Sequence, residues 1–365
     1  MVEKFKDSTQ NKLEINPLES GGLKPDPKEL IDQDDVKLDV LKQLVGQSIV
    51  SVKQFDKELV LELCKFAALL EMQDVSESAP LYGRIVITAF FEASTRTRLS
   101  FESAAQRLQG RLLSIPFGQV TGTAKGESLA DIGEMFNAYG DLVVVRHTKT
   151  HAIDEMLSTL RIPLINAGNG SGEHPTQALS DWFAILKWKP ELKYKKVSEK
   201  SKINLGILGT PGSMRAVNSF LRMSLLFKEG IRKFSLVSEL ADPLGEELAE
   251  LLETAGVEYE ITNDINSVLS DLDVIYMNSI AYLGDSYKSL DSRFKLNKDS
   301  AIKKDAVVLH PLARLDELDT NLDGTHHNLY FTQAHGAVFM REALYISVLD
   351  RFYRLNAKEV TQRIK

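Results

Sequence analysis

Cysteine is almost missing from this chain. A single thiol, Cys64, in 365 residues leaves no partner for an internal disulfide and no material for a cysteine-based metal cluster. It falls in the helical run Leu59 to Leu70, where a small buried thiol fits better than a nucleophile. Long apolar runs are missing too, none approaching the roughly 18 residues that a membrane span requires. Excess positive charge is the third absence, since a net charge of −7 gives nucleic acid no electrostatic reason to bind. Met1 to Asp7 lead into polar sequence rather than an apolar stretch, so a cytoplasmic protein without membrane contact is the expectation.

What the chain does hold is enough apolar material, 43% of residues against 26% charged, for two domains of ordinary size, each with its own core. Residues 1–42 are polar, carry Pro17, Gly21, Gly22, Pro25 and Pro27, and keep no period, which predicts a flexible or loosely docked extension. Beyond them, short β-branched runs alternate with helical periods. Strands are expected at Ile85 to Phe91, Arg111 to Ile115, Leu142 to His147 and Ile162 to Gly168. A charged run from Lys187 to Lys202 reads as a solvated face or linker near a domain boundary. After it, strands from Ile203, at Phe234 to Val237, Val257 to Ile261 and Val274 to Met277 alternate with helical segments at Leu244 to Thr254 and Ile265 to Leu269. This alternation predicts an α/β fold with a doubly wound parallel sheet in each half.

The most informative stretch is Phe90-Phe91-Glu92-Ala93-Ser94-Thr95-Arg96-Thr97-Arg98-Leu99-Ser100-Phe101-Glu102, a strand end, a tight turn and a helix start. Hydroxyls and guanidinium groups alternate there beside amides that have no intrahelical acceptor, and the helix dipole adds roughly half a positive charge. A phosphate suits such a corner. An ordinary N-cap beside a solvated Arg pair is the plainer alternative. Arg146 closes a buried-type strand, and a cation at the C-terminal end of a parallel strand faces the crevice where open α/β sheets bind ligands. His174 precedes Pro175, a residue suited to the first turn of a helix, so the dipole disfavours imidazolium and favours a neutral donor to a developing oxyanion. Gly206, Gly209 and Gly212 follow a strand with neither the dinucleotide spacing nor the ending of a P-loop, and read as turn glycines.

The stretch from Phe90 to Glu102 resembles the carbamoyl phosphate signature of the aspartate and ornithine carbamoyltransferase family, with flanks most similar to the aspartate branch. His174-Pro175-Thr176-Gln177 resembles the family's second signature, and the resemblance covers about residues 45 to 355. It implies a carbamoyl phosphate-binding domain over 43–190, an amino-acid domain over 191–330 with the active site between the two, and a C-terminal helix, 331–365, returning to the first domain. On the phosphate it implies Ser94, Thr95, Arg96, Thr97 and Arg146, joined by Thr121 and Lys125 reaching into a neighbouring subunit of a homotrimer. Arg146, Thr97 and His174 would face the carbonyl oxygen, while Gln177 and the backbone carbonyls of Pro311 and Leu312 accept from the carbamoyl NH2. Arg215 aligns with the family residue that holds the α-carboxylate of the acceptor. The family's Arg-x-Gln acceptor pair is replaced by Ser279 and Ala281, and the nearest cations able to stand in are Lys288 and Arg293.

The implied activity is carbamoyl transfer from carbamoyl phosphate to the amine of an amino acid, by overall resemblance L-aspartate, in pyrimidine biosynthesis. Neither cofactor nor metal is expected, because the second substrate brings the nucleophile and the departing phosphate can take its proton. Ser279 and Ala281 keep a different amino acid or amine open as acceptor. A non-catalytic carbamoyl phosphate-binding subunit is a further alternative, against which stands the full set of donors and acceptors around the carbamoyl group. A nucleotide-dependent oxidoreductase is the last, and a chain that binds no dinucleotide removes it.

Overall fold

The β-branched runs of the first half become four parallel strands in a structure, a computed structural model, that describes residues 22–31, 35–118, 121–122, 126–278, 291–355 and 363. Ahead of them come two short helices, α1 (Lys28–Ile31) and α2 (Leu38–Leu41), and the long α3 (Lys57–Met72). Then follow β1 (Ile85–Phe90), α4 (Thr95–Arg107), β2 (Arg111–Ile115), α5 (Leu129–Tyr139), β3 (Leu142–His147), α6 (Ala152–Leu157), β4 (Leu164–Asn169) and α7 (Pro175–Trp188). The sheet order is β2-β1-β3-β4, every pairing parallel. Helices cover both faces, which is why β1 and β3 read as almost unbroken apolar runs.

The second half repeats the scheme with β5 (Ile203–Leu208), α8 (Arg215–Leu225), β6 (Ile231–Val237), α9 (Gly245–Ala255), β7 (Tyr259–Thr262), β8 (Val274–Tyr276) and β9 (Val307–Leu309). Its order, β7-β6-β5-β8-β9, is again wholly parallel. Both halves are therefore doubly wound α/β sheets, as the sequence alternation predicts. Ile265 to Leu269 forms 3-10 turns, Ile265–Ser267 and Leu269–Asp271, rather than the expected helical segment. The run is too short to carry a helix nucleus of its own.

Aromatic side chains join the halves. Trp182 of α7 lies flat on Phe227 of the second half, ring centroids 4.0 Å apart, and also stacks on Phe220 of α8 at 6.4 Å, while Phe220 in turn stacks on Tyr276 of β8 within the second half at 3.9 Å. The last helix, α10 (Tyr330–Val348), packs against α3, α4 and α7, and its interior position explains its apolar character around most of its circumference. Among the described residues no helix is long and apolar enough to cross a membrane.

Two further sequence readings need correction. The extension over 1–42 reads as flexible or loosely docked, yet from residue 22 onward it is tied down: Leu30, Ile31, Val36 and Leu41 are buried, Leu23 N–H donates to Asn328 O at 2.8 Å, and the Lys37 amide donates to Glu62 at 2.8 Å. Helices of four residues leave no period to read, so the anchoring is invisible in the pattern. Nor is the charged run from Lys187 wholly solvated. Lys187 is buried and its ammonium donates to both oxygens of Glu71, at 2.8 and 2.6 Å. Replacing Leu30 by alanine is expected to lower the unfolding free energy by about 2–4 kcal/mol, as for other fully buried leucines. Chemical denaturation measures it, and a loss of a few tenths would contradict docking of this segment.

Candidate active site

In an open parallel sheet, ligands bind beyond the carboxyl ends of the strands where the order reverses. Here both sheets present that edge to one cavity of about 290 Å³. From the first sheet come Ser94, Arg96 and Thr97 after β1, Arg146 near the end of β3, and Gly170, His174 and Gln177 after β4. From the second come Ser213 to Ala216 after β5, Asn278 after β8, and Pro311 and Leu312 after β9. Nine of the residues named from the sequence thus share one space.

The phosphate corner has the expected form. Ser94 is the N-cap of α4 in extended conformation, but its hydroxyl makes no capping hydrogen bond, so the first amides of the helix are not satisfied by their own cap. Thr97 is buried on the first turn, and burial lowers the pKa of Arg96. Thr95 is exposed at the helix start and does not line the cavity.

Charge at the centre is organised by Glu92, a residue of the quoted stretch to which the sequence assigns no role. Arg146 Nη2 donates to Glu92 Oε1 at 2.8 Å. Arg215, from the other sheet, donates Nη2 to Oε1 at 2.6 Å and Nη1 to Oε2 at 3.0 Å, and its Nη1 also reaches the Gly170 carbonyl at 2.8 Å. Burial pushes the Glu92 pKa up, but the hydrogen bond from Arg215 and the charge of Arg146 outweigh it and leave the net shift downward. Arg146 is lowered to about 10 by burial first and then by the nearby Arg215. Gly168 lets the two guanidinium groups approach: its φ is +114°, and a Cβ there would lie 3.1 Å from Arg215 Nε and 3.2 Å from Arg146 Nη1.

His174 caps α7 with Pro175 in the first turn, and its backbone N–H donates to Ser219 Oγ at 2.9 Å. Burial, and then the charges of Arg146, Arg215 and Arg341, hold its pKa well below the ordinary imidazole value. That direction favours the neutral ring, and its buried Nε2 has no hydrogen-bond partner among the described residues. Such an atom on a cavity wall is a donor or acceptor kept for a ligand. Gln177, one turn along, donates Nε2 to Asp181 Oδ1 at 2.7 Å. The Leu312 backbone has a φ of +57°, and its N–H donates to His310 Nδ1 at 2.8 Å.

The remaining sequence candidates lie elsewhere. Thr121 donates its hydroxyl to Gly118 O at 2.6 Å and does not line this cavity. Arg293 pairs with Asp291 at 3.0 Å, away from the cavity. Lys125, Ser279, Ala281 and Lys288 lie outside the described residues. Sequence reasoning also misses Met214 and Asn278, whose side chains meet at 3.3 Å, and the buried carboxylate of Asp181. Only Asp181 carries a signal, its spacing of four from Gln177 on one helix.

Comparison with known proteins gives two family matches. Residues 47–187 match the carbamoyl-P binding domain of aspartate/ornithine carbamoyltransferase, and residues 201–348 match the Asp/Orn binding domain. The chain is 34% identical over 314 residues to the chloroplastic aspartate carbamoyltransferase of Arabidopsis thaliana, covering 83% of this chain and 78% of that protein. It is 33% identical over 311 residues to the aspartate carbamoyltransferase catalytic subunit of Pyrobaculum islandicum, covering 84% of this chain and 99% of the relative. Among solved structures, aspartate transcarbamoylase of Trypanosoma cruzi in complex with carbamoyl aspartate and phosphate superposes with a TM-score of 0.74 at 31% identity, covering 85% of this chain and 98% of that one.

Replacing Glu92 by glutamine removes the countercharge of two arginines. A stability loss of roughly 2–3 kcal/mol is expected, below that of a fully buried pair because Glu92 keeps 24% of its side chain exposed. With its folded pKa depressed below the ordinary 4.5, the carboxylate stabilises fully above that value and stops doing so as pH falls through its own. The gap between the two proteins should therefore narrow in acid denaturation as pH falls below 4.5. For His174, nitrogen NMR at about pH 6, just below the ordinary imidazole pKa, is expected to show a neutral ring, and an imidazolium signal would refute the assignment.

Proposed function

The chain belongs to the aspartate/ornithine carbamoyltransferase family, and on that premise we propose that it transfers the carbamoyl group of carbamoyl phosphate to the amine of L-aspartate, releasing N-carbamoyl-L-aspartate and phosphate. The observation that carries this reading is the single cavity in which Ser94, Arg96, Thr97, Arg146, His174 and Gln177 of one sheet face Arg215, Pro311 and Leu312 of the other. The first set together with Pro311 and Leu312 answers a mixed anhydride, and Arg215 answers the carboxylate of its amine partner.

Carbamoyl phosphate offers three things to bind. Its phosphate suits the α4 N-terminus with Ser94, Arg96, Thr97 and Arg146, all of which line the cavity. Its carbonyl oxygen gains negative charge as the amine attacks, and Arg146, Thr97 and the neutral His174 can donate to it. Single donors of that kind are typically worth about 3 kcal/mol of barrier. Its NH2 can donate to Gln177 and to the backbone carbonyls of Pro311 and Leu312. The new C–N bond forms and the bond from the carbonyl carbon to the bridging phosphate oxygen breaks, that oxygen leaving with phosphorus, and the departing phosphate takes the proton that the amine releases. Orientation between two rigid halves supplies much of the remainder.

In this reading residues 43–190 bind carbamoyl phosphate, 191–330 bind the amino acid, and the C-terminal segment from 331 returns to the first half. Thr121 and Lys125 serve a neighbouring subunit of a homotrimer. Exposed Leu99, Leu113, Phe117 and Met135, on elements beside that loop, support a subunit contact there. Pyrimidine biosynthesis is the role, and cytoplasm the location. A second reading, transfer to another amino acid or amine, is favoured by the described acceptor wall: Arg215 is its only described cation, beside Met214, Ala216 and Asn278.

The test is phosphate release from carbamoyl phosphate by the purified chain, corrected for spontaneous breakdown, with aspartate, ornithine and simple diamines in turn. Saturable release with aspartate is expected. Release with another amine alone would establish the second reading, and release with none would favour a non-catalytic subunit. Arg96→Ala is expected to cost on the order of a hundredfold to a thousandfold in kcat/KM, and an unimpaired variant would contradict every catalytic reading.

A further inference from the structure

Asp181 has no part in the chemistry assigned so far. It lies on α7 one turn beyond Gln177, is 0% exposed, and receives three hydrogen bonds. Gln177 Nε2 donates to Oδ1 at 2.7 Å, Gln333 Nε2 to the same oxygen at 2.5 Å, and the Tyr276 hydroxyl to Oδ2 at 2.9 Å. Gln333 Oε1 in turn accepts from the His310 backbone N–H at 2.9 Å. Pro311 and Leu312 follow directly in the chain. One carboxylate therefore ties together the side chain of Gln177 from the first sheet and the loop after β9 from the second.

This chain of bonds fixes which end of each amide points where. A backbone N–H can only donate, so Gln333 must turn its carbonyl to His310 and its NH2 to Asp181. An ionised carboxylate can only accept, so Gln177 must also turn its NH2 to Asp181. Its Oε1 is left as the free end of a side chain that lines the cavity. Because all three partners of Asp181 are donors, the carboxylate form is the one they fit. Burial opposes that form and raises the pKa to about 7, with the hydrogen bonds from Gln177, Gln333 and Tyr276 holding it down.

We propose that Asp181 is a positioning residue that makes the site select an acyl phosphate bearing an N–H over one bearing a methyl group. The inference rests on carbamoyl phosphate being the ligand of this cavity. A carbamoyl NH2 needs acceptors, and both candidate sources of them, Gln177 Oε1 and the Pro311–Leu312 backbone, are held by the one carboxylate. The methyl group of acetyl phosphate asks nothing of them. If Gln177 turned over, its NH2 would oppose the carbamoyl NH2 and leave buried donors unpaired, the kind of mismatch that gives polar sites their discrimination.

Asp181→Leu tests this with the branched outline of the side chain kept, because a leucine accepts no hydrogen bond and no longer dictates how Gln177 lies. Dissociation constants of the full chain for carbamoyl phosphate, acetyl phosphate and inorganic phosphate, measured without acceptor, provide the readout. Carbamoyl phosphate is expected to weaken on the order of tenfold to a hundredfold, with the other two within about twofold of the unsubstituted chain. Equal weakening of all three would show a merely structural residue, and an unchanged ratio of carbamoyl to acetyl phosphate would equally overturn the proposal. Failure of the underlying reading looks different, since the unsubstituted chain would then show no preference for carbamoyl phosphate. Should Asp181→Leu not fold, Gln333→Leu removes the tie to His310 and is expected to shift the ratio in the same direction, and no shift there would overturn it.

Discussion

Two guanidinium groups from opposite sheets meet on the carboxylate of Glu92, and the rest of the site depends on that compensation. Arg146 and Arg215 are both largely buried, with 12% and 18% of their side chains exposed. Placed together without a countercharge, they would repel in a medium that screens poorly. With Glu92 between them, the cavity keeps its cations close to a helix N-terminus and still folds. Burial first, and then the same positive field, lower the His174 pKa, so electrostatics that suit a phosphate also favour the neutral form of the neighbouring imidazole. An acceptor carboxylate arriving at Arg215 meets a guanidinium already held by Glu92 and by the Gly170 carbonyl.

A second constraint is the seam joining the halves. Trp182 of the first half stacks on Phe227 of the second with centroids 4.0 Å apart, and the Tyr276 hydroxyl of the second half donates to Asp181 of the first, its ring backed by Phe220 at 3.9 Å. Flat ring contacts and a buried, fully engaged carboxylate tolerate little sliding. Groups contributed by the two sheets can therefore keep the mutual geometry that a reaction between two bound molecules requires.

Much of this architecture is legible in local patterns along the chain. Paired runs such as Ile85 to Phe90 and Leu142 to His147 have the strand length and buried composition of a parallel sheet, and their alternation with helical periods leaves few topologies open. The corner from Ser94 to Arg98 is legible because all its functional groups are consecutive in the chain, and Arg146 because it stands at a strand's C-terminal end. Glu92 lies in the same stretch yet gives no local sign of its role, since its meaning comes from Arg215, 123 residues away. The docking of Leu30, Ile31, Val36 and Leu41 leaves no trace in the pattern because four-residue helices have no period.

The sequence by itself determined the fold class and the local chemistry of each loop, for the reason that strand and helix periods and the composition of a turn are properties of neighbouring residues. Only the tertiary structure decided which of those loops share a cavity, that His174 Nε2 is left without a partner among the described residues, and that Gln177, Gln333, Tyr276 and the loop after β9 converge on Asp181. Those facts depend on the docking of two sheets edge to edge. In that docking, contacts between residues far apart in the chain are selected by shape and by the need to satisfy every buried charge and donor, and no local pattern records them.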